Sequence, residues 1–291
     1  MLKKTNKLRL MDSPVYHYWN ALYLSFFSKR LYLDVVKRWN GYGFLYLLFV
    51  VSLLSIPFSL RIIDGFNHYF KDEITYPISK LPLLYIQNGQ VVFDEPMPYL
   101  IKNKKGEVID IIDTTGKVKE ITNDQKNLIL LITKDKIYSR FPMLDLFFGQ
   151  DESGKAGEIT VTTLDSKMNE IFNPQDWIKS GRLQHFKWFI EMMIYPVMTM
   201  IFYGMFLVIM VVFGYTAIIF AQVILKYKLK FKAGIRLFIV TSTPQMMLFY
   251  IVYTSGYTFK GIGLVQLLLL AIYFNYAVLC IKHDSKKLVN T

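Results

Sequence analysis

The chain has 291 residues, 53% hydrophobic and 16% aromatic but only 19% charged, a balance that excludes an ordinary water-soluble protein. Its net charge of +12 is gathered beside apolar runs, which excludes nucleic-acid binding as the meaning of the charge. One cysteine, Cys280, and four scattered histidines exclude an intrachain disulfide, a CxxC pair and the HExxH spacing of a zinc enzyme, so neither metal nor cofactor is expected.

Residues 1–40 are basic and aromatic, with Lys3, Lys4, Lys7, Arg9, Lys29, Arg30, Lys37 and Arg38 against only Asp12 and Asp34. From Tyr16 to Trp39, apolar side chains alternate with these cations at helical spacing. That pattern predicts an amphipathic helix, lying either in a membrane interface or against the protein's own spans. A secretory signal peptide is disfavoured, because the first apolar core begins near Gly41, behind too long a leader. Residues 41–63 form the first predicted span, uncharged before Arg61, with Pro57 near its far end.

Residues 64–182 differ in kind. They hold most of the acids, among them Asp94, Glu95, Glu107, Asp110, Asp113, Glu120, Asp124, Asp151 and Glu158, and no long apolar run. Short β-rich stretches flank turn signals at Asn88-Gly89, Lys105-Gly106 and Lys134-Asp135, which predicts three hairpins, with SGKAGEITVTT as a further strand or hairpin. A helix is expected to leave this small β domain at Pro174, capped by Asn173.

Residues 183–225 are apolar over about twice the length of one bilayer crossing. Either one long helix kinked at Pro196 or two spans could fill them, and charge favours one. The following basic segment, residues 226–236, belongs on the cytoplasmic side with the N-terminus. Spans at 237–257 and 261–281 and a basic tail at 282–291 complete the pattern. The expected fold is an α-helical membrane protein of four transmembrane helices with an inserted, mainly-β extracytoplasmic domain at 64–182. Both termini are then cytoplasmic, in a bacterial inner membrane.

The stretch SFFSKRLYLDVVKRWNGYGFLYLLFVVSLLSIP, residues 25–57, resembles the opening of a bacterial membrane family known as DUF1189. LPLLYIQNGQVVFDEPMPYLI (81–101), VIDIIDTTG (108–116) and LLITKDKIYSR (130–140) continue the likeness in order. The resemblance implies an envelope protein without an assigned reaction, loosely grouped with Yip1-like multi-span proteins of membrane organisation.

Three functional readings follow. Asp110 and Asp113-Thr114-Thr115-Gly116 superficially match the Asp-Thr-Gly of an aspartic protease, but a Thr is inserted and no second copy exists, so a tight turn explains them as well. No GxSxG elbow, P-loop or GxGxxG is present, and an enzyme ranks last. In the spans, Gln222, Thr241, Ser242, Thr243, Pro244, Gln245 and Asn275, with Gln266, are the candidate intramembrane polar site of a permease-like component; the plain alternative is hydrogen bonding around a kink. The favoured reading is a non-catalytic scaffold that binds membrane lipids and a protein partner through its β domain. Tyr85, Asn88, Gly89, Phe93, Tyr99 and Asp113 are its candidate contacts, while hairpin stability alone would produce the same residues.

Overall fold

The computed structural model describes residues 13–140 and 158–289, apart from Lys105, Asn123, Lys126, Ser180 and Thr258. The basic residues Lys3 to Arg9, Asp12, Asp151 and residues 153–157 therefore lie outside the described residues. The chain divides into two compact units, a helical one of residues 1–61 and 193–291 and a strand-bearing one of residues 62–192.

In the helical unit the amphipathic segment forms two helices, α1 (Tyr18–Leu24) and α2 (Lys29–Lys37), where one was expected. The break is chemical. The Ser25 hydroxyl turns back onto the Leu22 carbonyl at 2.9 Å, and Ser28 caps α2 by accepting the Leu31 N–H at 3.3 Å. The next helix, α3 (Phe44–Tyr69), carries Pro57 without interruption. It continues past residue 64 through a π-helical stretch at Phe70–Thr75 into α4 (Tyr76–Lys80). Residues 64–80 are thus helical, which corrects the expected start of the β domain. Phe66 and Phe70, four apart and both buried, supply the helical period that the acids obscured.

A short helix, α5 (Pro174–Lys179), precedes α6 (Arg182–Val223), a single helix of 42 residues with Pro196 inside it. Beyond it, α7 (Phe231–Thr241) and α8 (Thr243–Ser255) meet at a bend of 40°. The last helix is α9 (Ile262–Val289). Residues 44–80, 183–223 and 262–285 are long and apolar enough to cross a membrane, and α7 with α8 makes a fourth such stretch if taken as one. The expected span over 237–257 is corrected at its start, since the helix begins at Phe231 within the basic segment, and the kink expected before Pro244 is a full break at Ser242.

Helices α6 and α7 meet through glycine. A Cβ on Gly234 would lie 2.6 Å from Ile218, and one on Gly214 would lie 2.9 Å from Ile235, so a larger residue at either position would have to displace an isoleucine side chain.

Among the described residues the strand unit holds two sheets. The smaller has the order β2-β1-β8, from β1 (Leu84–Gln87), β2 (Gln90–Val92) and β8 (Glu170–Phe172). The larger runs β3-β4-β5-β6-β7, from β3 (Tyr99–Lys102), β4 (Val108–Ile112), β5 (Leu130–Ile132), β6 (Lys136–Arg140) and β7 (Ile159–Thr163). The three turn signals stand between β1 and β2, β3 and β4, and β5 and β6, each an antiparallel pair. Asn88 and Gly89 take φ of 52° and 71°, the conformation a two-residue hairpin of primed type demands. The parallel pairing of β4 with β5 comes from the long connection at 113–129. Leu84, Ile86, Val91, Ile101, Ile112 and Ile132 form one apolar cluster, and Ile111, Ile121, Leu128 and Leu131 form a second. Asn173 caps α5, accepting the Gln175 N–H at 3.0 Å and donating to Asp176 at 2.7 Å.

Candidate functional site

The polar run at the α7–α8 break satisfies itself. Pro244 has no N–H to give the Val240 carbonyl, and the Thr243 hydroxyl donates there instead, at 2.9 Å. Thr241 and Ser242 donate to the carbonyls of Phe238 at 3.0 Å and Ile239 at 2.7 Å. Tyr46 of α3 then reaches Thr243 Oγ1 at 2.9 Å, and Ser55 meets Tyr250 at 2.8 Å, tying α3 to α8. Gln245 is different: it is 6% exposed, and its Oε1 has no hydrogen-bond partner among the described residues.

The other predicted polar residues are not gathered at this break. Gln222 is exposed on α6. Asn275 lines a cavity of about 200 Å³ walled by Phe213, Ala217, Phe238, Leu270 and Phe274, and none of Thr241 to Gln245 lines it. The Asn275 Oδ1 and Gln266 Nε2 atoms are buried without partners among the described residues.

Four ionic side chains with structural tasks escaped the sequence reading. Arg236, counted there as a loop cation, is 5% exposed. It donates to the carbonyls of Val35 at 2.6 Å, Val36 at 3.0 Å and Gly41 at 2.9 Å, closing the C-terminal end of α2. Arg61 donates to the carbonyls of Tyr253 and Thr254 at the end of α8. Lys282 donates to the Leu225 carbonyl at 2.7 Å, just past α6. Asp34, 4% exposed, accepts the N–H groups of Val15 at 3.0 Å and Tyr16 at 3.1 Å and the Trp39 indole at 3.2 Å. The signal for Asp34 was its isolation, an acid at a buried position of a basic amphipathic helix. Arg236 gave no such sign, because its partners lie about two hundred residues away.

In the strand unit the candidate contacts separate. Tyr85 is 40% exposed and pairs in register with Val92 on one side and Ile171 on the other, which are 40% and 67% exposed. These three make an apolar row across the outer face of the small sheet, and exposed Leu83 precedes it. The opposite face carries Leu84, Ile86 and Val91 into the core. Phe93 and Tyr99 instead pack edge to face at 5.5 Å against that core. Gly89 is buried beneath the loop at 165–168, where an added Cβ would lie 2.5 Å from the Asp165 carbonyl oxygen, and the Asn88 N–H donates to Asn169 at 2.8 Å.

Asp113 is committed to its own turn. Its Oδ1 accepts the Thr115 N–H at 2.9 Å and hydroxyl at 2.5 Å, and its Oδ2 accepts the Val118 N–H at 2.5 Å. Burial works against its charge, but these bonds outweigh it and hold the carboxyl below its usual range. Asp110 sits in register between Ile101 and Leu130, facing the first apolar cluster. Burial pushes its carboxyl up to about 7, with a backbone bond from Leu130 opposing. Among the described residues no group of three histidine, cysteine or acidic side chains could hold a metal ion.

An uncharacterized protein, RP489, of Rickettsia prowazekii (strain Madrid E) is 30% identical over 125 residues, which is 39% of this chain and 42% of the relative. The chain thus spans less than half the length of that curated relative. No solved structure matches. Neither finding links the chain to Yip1-like proteins. The family model described as a protein of unknown function (DUF1189) matches residues 19–278, which takes in the whole strand unit and most of the helical unit, and the chain belongs to the DUF1189 family.

Proposed function

We propose that this protein is a non-catalytic scaffold of the bacterial inner membrane that holds a protein partner through its strand unit. Four spans with both ends cytoplasmic, taking α7 and α8 as one crossing, place the basic segments on the inner side and residues 64–182 on the outer. The observation that carries the reading is the row Val92, Tyr85 and Ile171. A half-buried sheet ordinarily turns polar side chains outward, yet this one turns three apolar side chains outward in register. Such a row suits burial by a second protein surface.

The test is a photo-crosslinking amino acid at Ile171 in native membranes, with Lys119 as a control position. We expect one protein adduct from position 171 and none from 119, abolished by Tyr85→Ser. Adducts equal at both positions, or unaffected by Tyr85→Ser, sink the proposal.

A permease-like role is the second reading, and one observation favours it: Gln245 is buried at a helix break with a carbonyl oxygen unpartnered among the described residues. It requires that Gln245→Leu abolish a solute flux while the protein remains folded and inserted.

A further inference from the structure

The surface of α1 and α2 has a composition that neither the helical core nor the strand unit explains. Trp19, Tyr23, Phe26 and Phe27 are 62%, 56%, 37% and 63% exposed, an aromatic collar over little more than two turns of chain. Such a patch facing water costs stability, whereas aromatic side chains favour the boundary between headgroups and acyl chains. The neighbours of α1 set its level. Trp19 meets Phe49 of α3 edge to face at 4.9 Å, and Phe26 meets Tyr273 of α9 at 6.2 Å. Phe49 lies five residues inside α3, about 7 Å along its axis, so Trp19 stands one to two turns from the start of that helix.

Helix α2 adds charge of one sign. It buries Leu31, Tyr32, Asp34 and Val35 and leaves Lys29, Arg30 and Lys37 exposed, with Arg38 exposed just beyond. Lys37 is paired with Asp284 of α9 at 2.9 Å, and Arg38 with Asp34 at 3.4 Å. Asp34 is withdrawn into the fold, where its oxygens hold backbone N–H groups and the Trp39 indole. The outer face of α2 therefore presents cations, foremost Lys29 and Arg30, directly beside the aromatic collar. The Arg236 clamp on Val35, Val36 and Gly41 ties the end of α2 to α7.

We propose that α1 and α2 form a platform set into one leaflet that binds anionic phospholipid headgroups. It rests on the reading that α3, α6 and α9 cross a membrane. The aromatic collar enters the acyl boundary, and Lys29 and Arg30 meet the phosphates and the additional negative charge. The occupant is lipid rather than protein because exposed aromatics and cations of one sign adjoin on helices packed against the long apolar α3 and α9, the composition of an interfacial segment beside anionic headgroups.

The full-length protein is reconstituted into nanodiscs of mixed phosphatidylglycerol and phosphatidylcholine, and the lipids retained on release are counted by native mass spectrometry. We expect phosphatidylglycerol to be preferred, and Lys29→Gln/Arg30→Gln to weaken that preference about tenfold at an unchanged melting temperature. The swap Lys29→Arg/Arg30→Lys should preserve it, which separates charge from folding. Equal retention of the two lipids by the native chain, or a preference indifferent to Lys29→Gln/Arg30→Gln, overturns the platform. A photo-crosslinker at Phe27 that captures protein in place of lipid in native membranes overturns it too. Failure to enter nanodiscs at all would instead defeat the membrane-spanning reading on which it rests.

Discussion

Asp110 and Asp113 stand three residues apart, and their surroundings give them opposite chemistry. Asp113 closes a turn with both oxygens, so its charge is supported by three donors. Asp110 faces isoleucines and a leucine, and its carboxyl titrates near 7. In the folded chain Asp110 therefore holds a proton that the unfolded chain has released above its ordinary pKa of about 4. More protons bound to the native state means stability that falls as pH rises, here from about 4 to about 7, by on the order of 1 kcal/mol per pH unit. Above that window the loss is complete and constant. Hydrogen exchange of the β4 and β5 amides in the full-length protein, corrected for intrinsic rates, should show protection declining across this window. Asp110→Asn should flatten the slope and raise protection at neutral pH. A slope unchanged in Asp110→Asn would mean that another group titrates. The motif containing both acids was legible in sequence as a turn or a protease fragment. Only the register, with Asp110 opposite Ile101 and Leu130, separates their roles.

At the scale of elements, the helical unit ends its helices with cations from elsewhere in the chain. Arg236 closes α2, Arg61 closes α8 and Lys282 meets the carbonyl just past α6. Each supplies donors to carbonyls that no helical N–H can reach, and Arg236 does so from a buried position. Arg236 does this with three donors on one planar fork, a geometry a lysine ammonium cannot reproduce. Arg236→Lys is expected to cost about 2–3 kcal/mol, read as a lower melting temperature in detergent and faster proteolysis after residue 41. A melting temperature within error of the native protein would show these bonds to be dispensable. Strands and hairpins were legible because alternation and Asn-Gly turns are local. The break at Ser242 was half legible, as a run of hydroxyls before a proline. The clamps were not, because a cation beside a span looks the same whether it faces lipid phosphate or a distant helix end. Likewise β8, three residues long, has too little pattern to be seen before β1 pairs with it.

For the molecule as a whole, the bend between α7 and α8 decides the sidedness of everything after it. If the pair crosses the membrane as one bent span, the number of crossings is even and the two chain ends share a side; if it turns back, they are opposed. Positive charge at 226–236 and again in the tail at 282–291 favours the even count. Reporter fusions active only in the cytoplasm should therefore signal from both termini, and from neither when inserted at Gly116. A silent C-terminal fusion beside an active N-terminal one would make α7 and α8 a re-entrant pair.

The clamp on α2 also has a timetable. Val35 and Arg236 are separated by 201 residues, and a ribosome adding about 5–20 residues per second takes roughly 10–40 s to make that stretch. For that interval the carbonyls at the end of α2 exist without the guanidinium that will bond them. Until residue 236 has been made, water or another donor must satisfy those carbonyls in its place.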